Sequence, residues 1–215
     1  MKTPIEYIRE AWRIYSKKEN FIYFSKVMAV FAIVSAISGL ISVYYPDYIN
    51  NQALAILLSI LAGIFMLWSG SVSINSVLNM GKLSEREVLV LGFKNMLKYF
   101  AISFVVGLLV LLGFVALIVP GIIFMTWFYF ATLAVFDKKM GIFASMKESK
   151  KLVKDKFWKI LGRSFVFGLF IMIVSLVVGA VPYLGSIISV LLAPFFLLPQ
   201  YLLYKDLVAS GGDTI

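Results

Sequence analysis

The residue types that carry most protein chemistry are scarce here. There is no cysteine and no histidine. That removes thiol nucleophiles, imidazole bases, disulfides and the usual zinc or haem ligands. The eleven carboxylates are scattered, and none forms a pair suited to general acid–base work or Mg²⁺ binding. No phosphate loop or nucleophile motif is present. No catalytic residue, metal site or cofactor is therefore expected, and the chain reads as non-enzymatic.

The remaining chemistry is concentrated in lysine. KESKKLVKDKFWK, residues 147–159, places Lys147, Lys150, Lys151, Lys154, Lys156 and Lys159 within thirteen positions. Such a run can neutralise nucleic-acid phosphates, meet anionic lipid headgroups, or mark the cytoplasmic side of a membrane. A single-stranded nucleic-acid site interleaves aromatics with an exposed basic groove. Here Phe157 and Trp158 lead straight into an apolar run. Anionic membrane lipids, not nucleic acid, are the expected partner. On a helical wheel Ser149, Val153 and Phe157 share the apolar side. Lys147, Lys151 and Lys154 lie opposite or beside it, and Lys150 and Lys156 flank it, placed to snorkel.

The elements that must position these lysines are membrane helices. The chain is 61% hydrophobic and 14% charged, against about 45–50% and about 25% in soluble domains. Apolar runs of spanning length fall at about 27–44, 53–78, 99–117, 121–136, 160–180 and 184–204. The stretch 99–136 is uncharged. As one helix it would be about 57 Å long at 1.5 Å per residue, nearly twice the hydrocarbon core. Pro120-Gly121 near its centre predicts a tight turn between two antiparallel spans.

All twenty Lys and Arg fall on one side of this scheme. Six lie in residues 1–26, four in 79–98, nine in 137–163, and the last is Lys205. The turns around Pro46, Pro120 and Pro182 carry none, and only Asp47 is charged there. The positive-inside rule then predicts an inner-membrane, multi-pass protein with both termini cytoplasmic. The first segment follows a long n-region with Glu6, Glu10 and Glu19 and no convincing cleavage site. It reads as an uncleaved membrane helix rather than a signal peptide.

The cytoplasmic pieces read as helices. Thr3-Pro4-Ile5-Glu6 and Ser84-Glu85-Arg86-Glu87 are capping boxes. Ile5, Ile8, Trp12 and Tyr15 predict one apolar stripe; Val88, Leu91 and Asn95 a weaker one. Ile142, Met146, Ser149, Val153, Phe157 and Ile160 predict a third. The expected fold is all-α and polytopic: six spans in three hairpins, each preceded by a basic amphipathic helix. It forms a single membrane domain over 1–215, in modules of about 1–79, 80–137 and 138–215, without a soluble domain. Small residues four apart (Ser35 and Gly39; Ala55, Ser59 and Gly63; Ser175 and Gly179) predict close helix packing. No Asp, Glu, Lys or Arg sits at the centre of a span, which argues against an ion-coupled transporter. Asn75 predicts an interhelical hydrogen bond. Pro194 and Pro199 predict a packed kink, and Trp68 and Trp127 buried packing.

Residues 118–162 resemble a known family. Pro120 and Gly121, an aromatic-rich span ending at Asp137, then Gly141, Ala144, Ser149 and the pair Phe157-Trp158 carry the likeness. The pattern is similar to the membrane domain ahead of the catalytic domain in some glycerophosphoryl diester phosphodiesterases, and to related stand-alone multi-span proteins. The resemblance implies a membrane fold and no phosphodiester hydrolysis, because the catalytic domain has no counterpart. Members often carry a basic residue where Trp127 stands, so a role tied to that charge does not transfer. The leading functional expectation is a lipid or envelope role at the cytoplasmic surface. The alternative is a small transporter, exporter or resistance/immunity protein for an apolar or amphipathic compound.

Overall fold

The computed structural model describes residues 1–44, 52–181 and 184–211. The expected turns at Pro46 and Pro182 lie outside them. Among the described residues every regular element is helical: α1 Pro4–Tyr15, α2 Lys18–Tyr44, α3 Gln52–Leu78, α4 Glu85–Lys94, α5 Met96–Ala116, α6 Ile118–Trp127, α7 Ala131–Asp137, α8 Ile142–Lys154, α9 Phe157–Gly179 and α10 Leu184–Gly211. Six stretches are long and apolar enough to cross a membrane, with α6 and α7 together forming one of them. The fold is that of a multi-pass membrane protein. Large apolar side chains along α3, α5 and α9 are exposed, as expected where the solvent is lipid.

The capping boxes form as the sequence predicts. Thr3 N–H donates to Glu6 at 2.7 Å and Glu6 N–H returns a bond to Thr3 Oγ1 at 3.3 Å. Ser84 and Glu87 repeat the reciprocal pair. The backbone bonds that Glu6 accepts hold its carboxyl below the usual range.

Three local expectations are corrected. Pro120-Gly121 is not the turn. The chain breaks at Leu117, whose backbone is extended (φ −167°, ψ 155°). Pro120 then sits in the first turn of α6, where its missing N–H leaves no helical bond unmade. Gly121 serves packing instead: a Cβ there would lie 2.5 Å from the Phe114 ring, and one on Gly113 would lie 2.9 Å from Gly121 Cα.

In α1, Tyr7, Ala11 and Tyr15 are buried, whereas Ile5 and Trp12 are exposed. Tyrosine's ring supplied a better buried face than the aliphatic spacing suggested.

The run 147–159 is not one helix. α8 ends at Lys154 with Asp155 as C-cap, and Lys156 N–H closes a tight turn on Val153 O at 2.9 Å. Phe157 and Ile160 therefore belong to α9. Within α8, Ser145, Met146, Ser149 and Val153 form the buried face.

Two compact units emerge, and their bounds cut across the three sequence modules. One comprises residues 15–96 and 171–195. Its core is Val27, Met28, Phe31, Val72 and Val88, with Phe65 and Trp68 packed against it. Trp68 meets Phe31, Phe65 and Phe93 edge-on, and its indole N–H donates to Leu89 O at 3.2 Å. Gly92 lets α4 approach α3: a Cβ there would fall 2.9 Å from Val72 Cα. Asn75 is buried, and its Oδ1 accepts from Asn95 Nδ2 at 3.3 Å. This is the interhelical bond expected of it. Tyr15 donates to Leu191 O at 2.9 Å, one residue from the carbonyl that Pro194 deprives of its helical donor.

The small-residue ladders do not mark close packing. Among the described residues, a Cβ added at Gly39, Gly63 or Gly179 meets nothing within 4 Å. Spacing alone is insufficient, because an opposing backbone must lie at the same level.

The other unit comprises residues 1–14, 97–170 and 196–215. Its core joins Ile102, Ala131, Val135 and Met146. α8 packs on both α6 and α7, which positions the residues considered next.

Candidate functional site

The apolar stretch 118–137 is interrupted at residues 128–130 between α6 and α7. An interrupted helix releases backbone groups, and in an apolar surrounding each needs a partner. Ser149 on α8 supplies two bonds. Its Oγ donates to Trp127 O at 2.7 Å and accepts from Phe130 N–H at 3.1 Å. Gln200 on α10 supplies the third, its Nε2 donating to Tyr129 O at 2.6 Å. Local bonds from the N–H groups of Phe128, Tyr129 and Ala131 complete the turn.

Below this break lies a polar cluster. Asp137 closes α7, and its carboxylate accepts from Tyr204 at 3.1 Å and pairs with Lys205 at 3.5 Å. Tyr204 is fully buried and packs on Phe130. Lys150 reaches over the Trp127 ring, 4.0 Å from its centre. Trp127 is thus half-buried under a cation that comes from α8 rather than from its own span.

The residues of the family pattern are only partly brought together. Ser149 bonds the backbone at the start of α7, and Asp137 closes the same helix against Tyr204 and Lys205 of α10. Pro120 and Gly121 lie at the far end of α6. Gly141 is the N-cap of α8 and makes no side-chain cap bond. Ala144 is exposed, Phe157 half-buried, and Trp158 exposed. Gln200, Tyr204, Tyr7 and Asp206 were not singled out from sequence, although polar residues in the last turns of an apolar helix are a signal for them.

The six lysines divide into three groups. Lys147, Lys151 and Lys154 share the exposed face of α8. They make no ion pair among the described residues, in contrast to Lys138, which pairs with Glu148 at 2.5 Å. Lys150 is taken up by Trp127. Lys156 lies in the α8–α9 turn and Lys159 in the first turn of α9, with Arg163 one turn further on. These three line a recess of about 670 Å³ together with Met1, Asp206 and Ser210.

Asp206 of the lining is held from beneath. Tyr7 is fully buried and donates to Asp206 Oδ2 at 2.6 Å. Burial first, and that bond second, raise the Tyr7 phenol above its ordinary value. Arg163 donates through Nε and Nη2 to Lys2 O at 3.0 and 2.8 Å, and through Nη1 to Lys159 O at 2.8 Å.

Within the other unit, α2 and α3 border an apolar cleft of about 960 Å³ that includes Phe31, Ser35, Ser59, Phe65 and Trp68. No group of three or more metal-ligating side chains occurs among the described residues. Neither a family model, nor a curated protein, nor a solved structure matches the chain.

Proposed function

We propose that this is a non-enzymatic integral protein of the cytoplasmic membrane whose basic helices engage anionic lipid headgroups, in the service of a lipid or envelope process. Both termini and both long basic loops face the cytoplasm, and the six spans form three hairpins, each led by an amphipathic helix. The resemblance of residues 118–162 to the phosphodiesterase-associated membrane domain belongs to this reading.

The observation that carries it is the α8 face of Lys147, Lys151 and Lys154. It is exposed and unpaired among the described residues, while the opposite face is buried. Each cation at an anionic surface contributes about 1 kcal/mol. In α1, exposed Ile5 and Trp12 lie one heptad apart on the outer face, as in a helix resting at the bilayer boundary.

Reconstitution into vesicles with and without phosphatidylglycerol tests the proposal. Replacing Lys147, Lys151 and Lys154 by Gln is expected to abolish most of the preference for anionic lipid. An unchanged preference would sink the reading. Because the chain lacks cysteine, single variants Lys82→Cys and Lys139→Cys report orientation. Both should label from the cytoplasmic side only.

The α2–α3 cleft favours a second reading, a small transporter, exporter or resistance/immunity protein for an apolar or amphipathic compound. Flux of such compounds in liposomes, reduced by Ser59→Phe, would support it; no flux across a broad panel would remove it.

A further inference from the structure

The recess at the start of α9 gathers three cations on one concave space. Four lysines elsewhere pair with carboxylates: Lys2 with Glu10, Lys26 with Glu85, Lys138 with Glu148 and Lys205 with Asp137. Among the described residues, the cations of the recess do not. Lys156 Nζ donates to a neutral hydroxyl, Ser210 Oγ, at 2.9 Å. Arg163 is held by three bonds to backbone carbonyls. Those bonds fix the guanidinium without cancelling its charge, and leave two of its five N–H groups for a ligand. Lys159 makes no ion pair among the described residues. The one carboxylate of the lining, Asp206, already accepts from buried Tyr7. Three cations therefore converge on a space of about 670 Å³ with one engaged anion beside them. The first turn of α9 adds the positive end of its helix dipole.

We propose that this recess binds the phosphate of one anionic membrane lipid. Lys156, Lys159 and Arg163 neutralise the phosphodiester, and Ser210 orients Lys156. The proposal rests on the reading that these helix ends lie at a lipid surface. A lipid is favoured over a soluble phosphate by what adjoins the recess. Trp158, next to Lys159, is 78% exposed, as expected of an aromatic at the headgroup level. One turn further along α9, Gly162 leaves open space, a Cβ there meeting nothing within 4 Å. Phe165 and Leu169 beyond it are exposed. This open apolar track provides a bed for an acyl chain leading away from the bound phosphate.

The full chain in nanodiscs or mild detergent, probed by native mass spectrometry, tests the site with phosphatidylglycerol, phosphatidylcholine and inorganic phosphate as separate probes. The expected result is one retained phosphatidylglycerol, no retained phosphatidylcholine, and no displacement by inorganic phosphate. The double variant Lys156→Gln/Lys159→Gln should weaken retention about tenfold or more, and Lys156→Arg/Lys159→Arg should preserve it. The α8 variant lacking Lys147, Lys151 and Lys154 should keep this one lipid even as it loses the bulk preference, so the two proposals fail separately. The site is overturned if the Gln variant, with an unchanged helical spectrum, retains the lipid as tightly. Equal retention of phosphatidylcholine also overturns it, as does displacement by inorganic phosphate, which would identify a soluble-anion site.

Discussion

The break between α6 and α7 and the cleft beside α2 and α3 each set a serine among aromatic and aliphatic side chains, yet the two serines are bonded differently. At the break, Ser149 and Gln200 reach in from other helices and bond the released backbone groups. Along α3, Ser59 bonds only its own helix, donating to Ala55 O at 2.8 Å. Gly113 and Gly121 hold α5 against α6, whereas a Cβ added at Gly63 meets nothing within 4 Å among the described residues. Serine and glycine occur on both sides of this comparison. What differs is whether an opposing backbone stands within reach. Where it does, a serine or glycine is fixed by its partner; where it does not, the same residue leaves room for something else.

That contrast can be broken by substitution. The largest effect is expected at Gly121→Val or Gly113→Val, where the added carbons meet the Phe114 ring or Gly121 backbone. Overpacking of this kind costs about 1–3 kcal/mol or more and should appear as a lower melting temperature in detergent. Gly63→Ala is the control: with nothing nearby, it should be neutral or raise stability by up to about 1 kcal/mol through helix propensity. A Gly63 variant as damaging as the Gly121 one would mean the cleft closes in the membrane.

Ser149→Ala comes next. It strands Trp127 O and Phe130 N–H, a loss of about 1–3 kcal/mol, while Ser59→Ala should change stability by less than about 0.5 kcal/mol. Equal effects would erase the distinction.

The smallest effect concerns the same kind of side-chain-to-backbone bond made in water. Ser84, through its side chain and backbone, depresses the Glu87 carboxyl below its ordinary 4.5. A depressed acid contributes its stabilisation above the unfolded value and loses it as pH falls through the folded one. Protection of the first-turn amides of α4, taken as the exchange rate relative to the intrinsic rate at each pH, should therefore be constant above about pH 5 and fall below the ordinary value. No change on acidification, or an equal change in Ser84→Ala, would refute it.

Much of the fold was legible from composition and spacing. The apolar runs predicted six spans, and all six recur with shifted ends: α2 begins at Lys18 and α10 runs to Gly211. Lysines at helix ends are tolerated there because their long stems let the charge snorkel. Capping boxes were legible because they are closed within four residues. The site was less so. Ser149 entered as a small residue in a stripe, with nothing local to indicate that it bridges two sides of a broken helix. The recess brings together Met1 ahead of α1, the start of α9 and the end of α10, and separations of that order leave no periodic trace.

Sequence alone thus determined the class, the number of spans, the caps and the absence of thiol and imidazole chemistry. Each depends on local composition or on interactions within one helical turn. Tertiary structure decided which small residues are packed, where the lysine run divides, and which cations remain without a carboxylate. The physical reason is that packing and charge compensation are pairwise properties of surfaces brought together by folding. KESKKLVKDKFWK announces six positive charges; only the turn at Asp155–Lys156 separates those that lie along the α8 face from those that converge, with Arg163, on one recess.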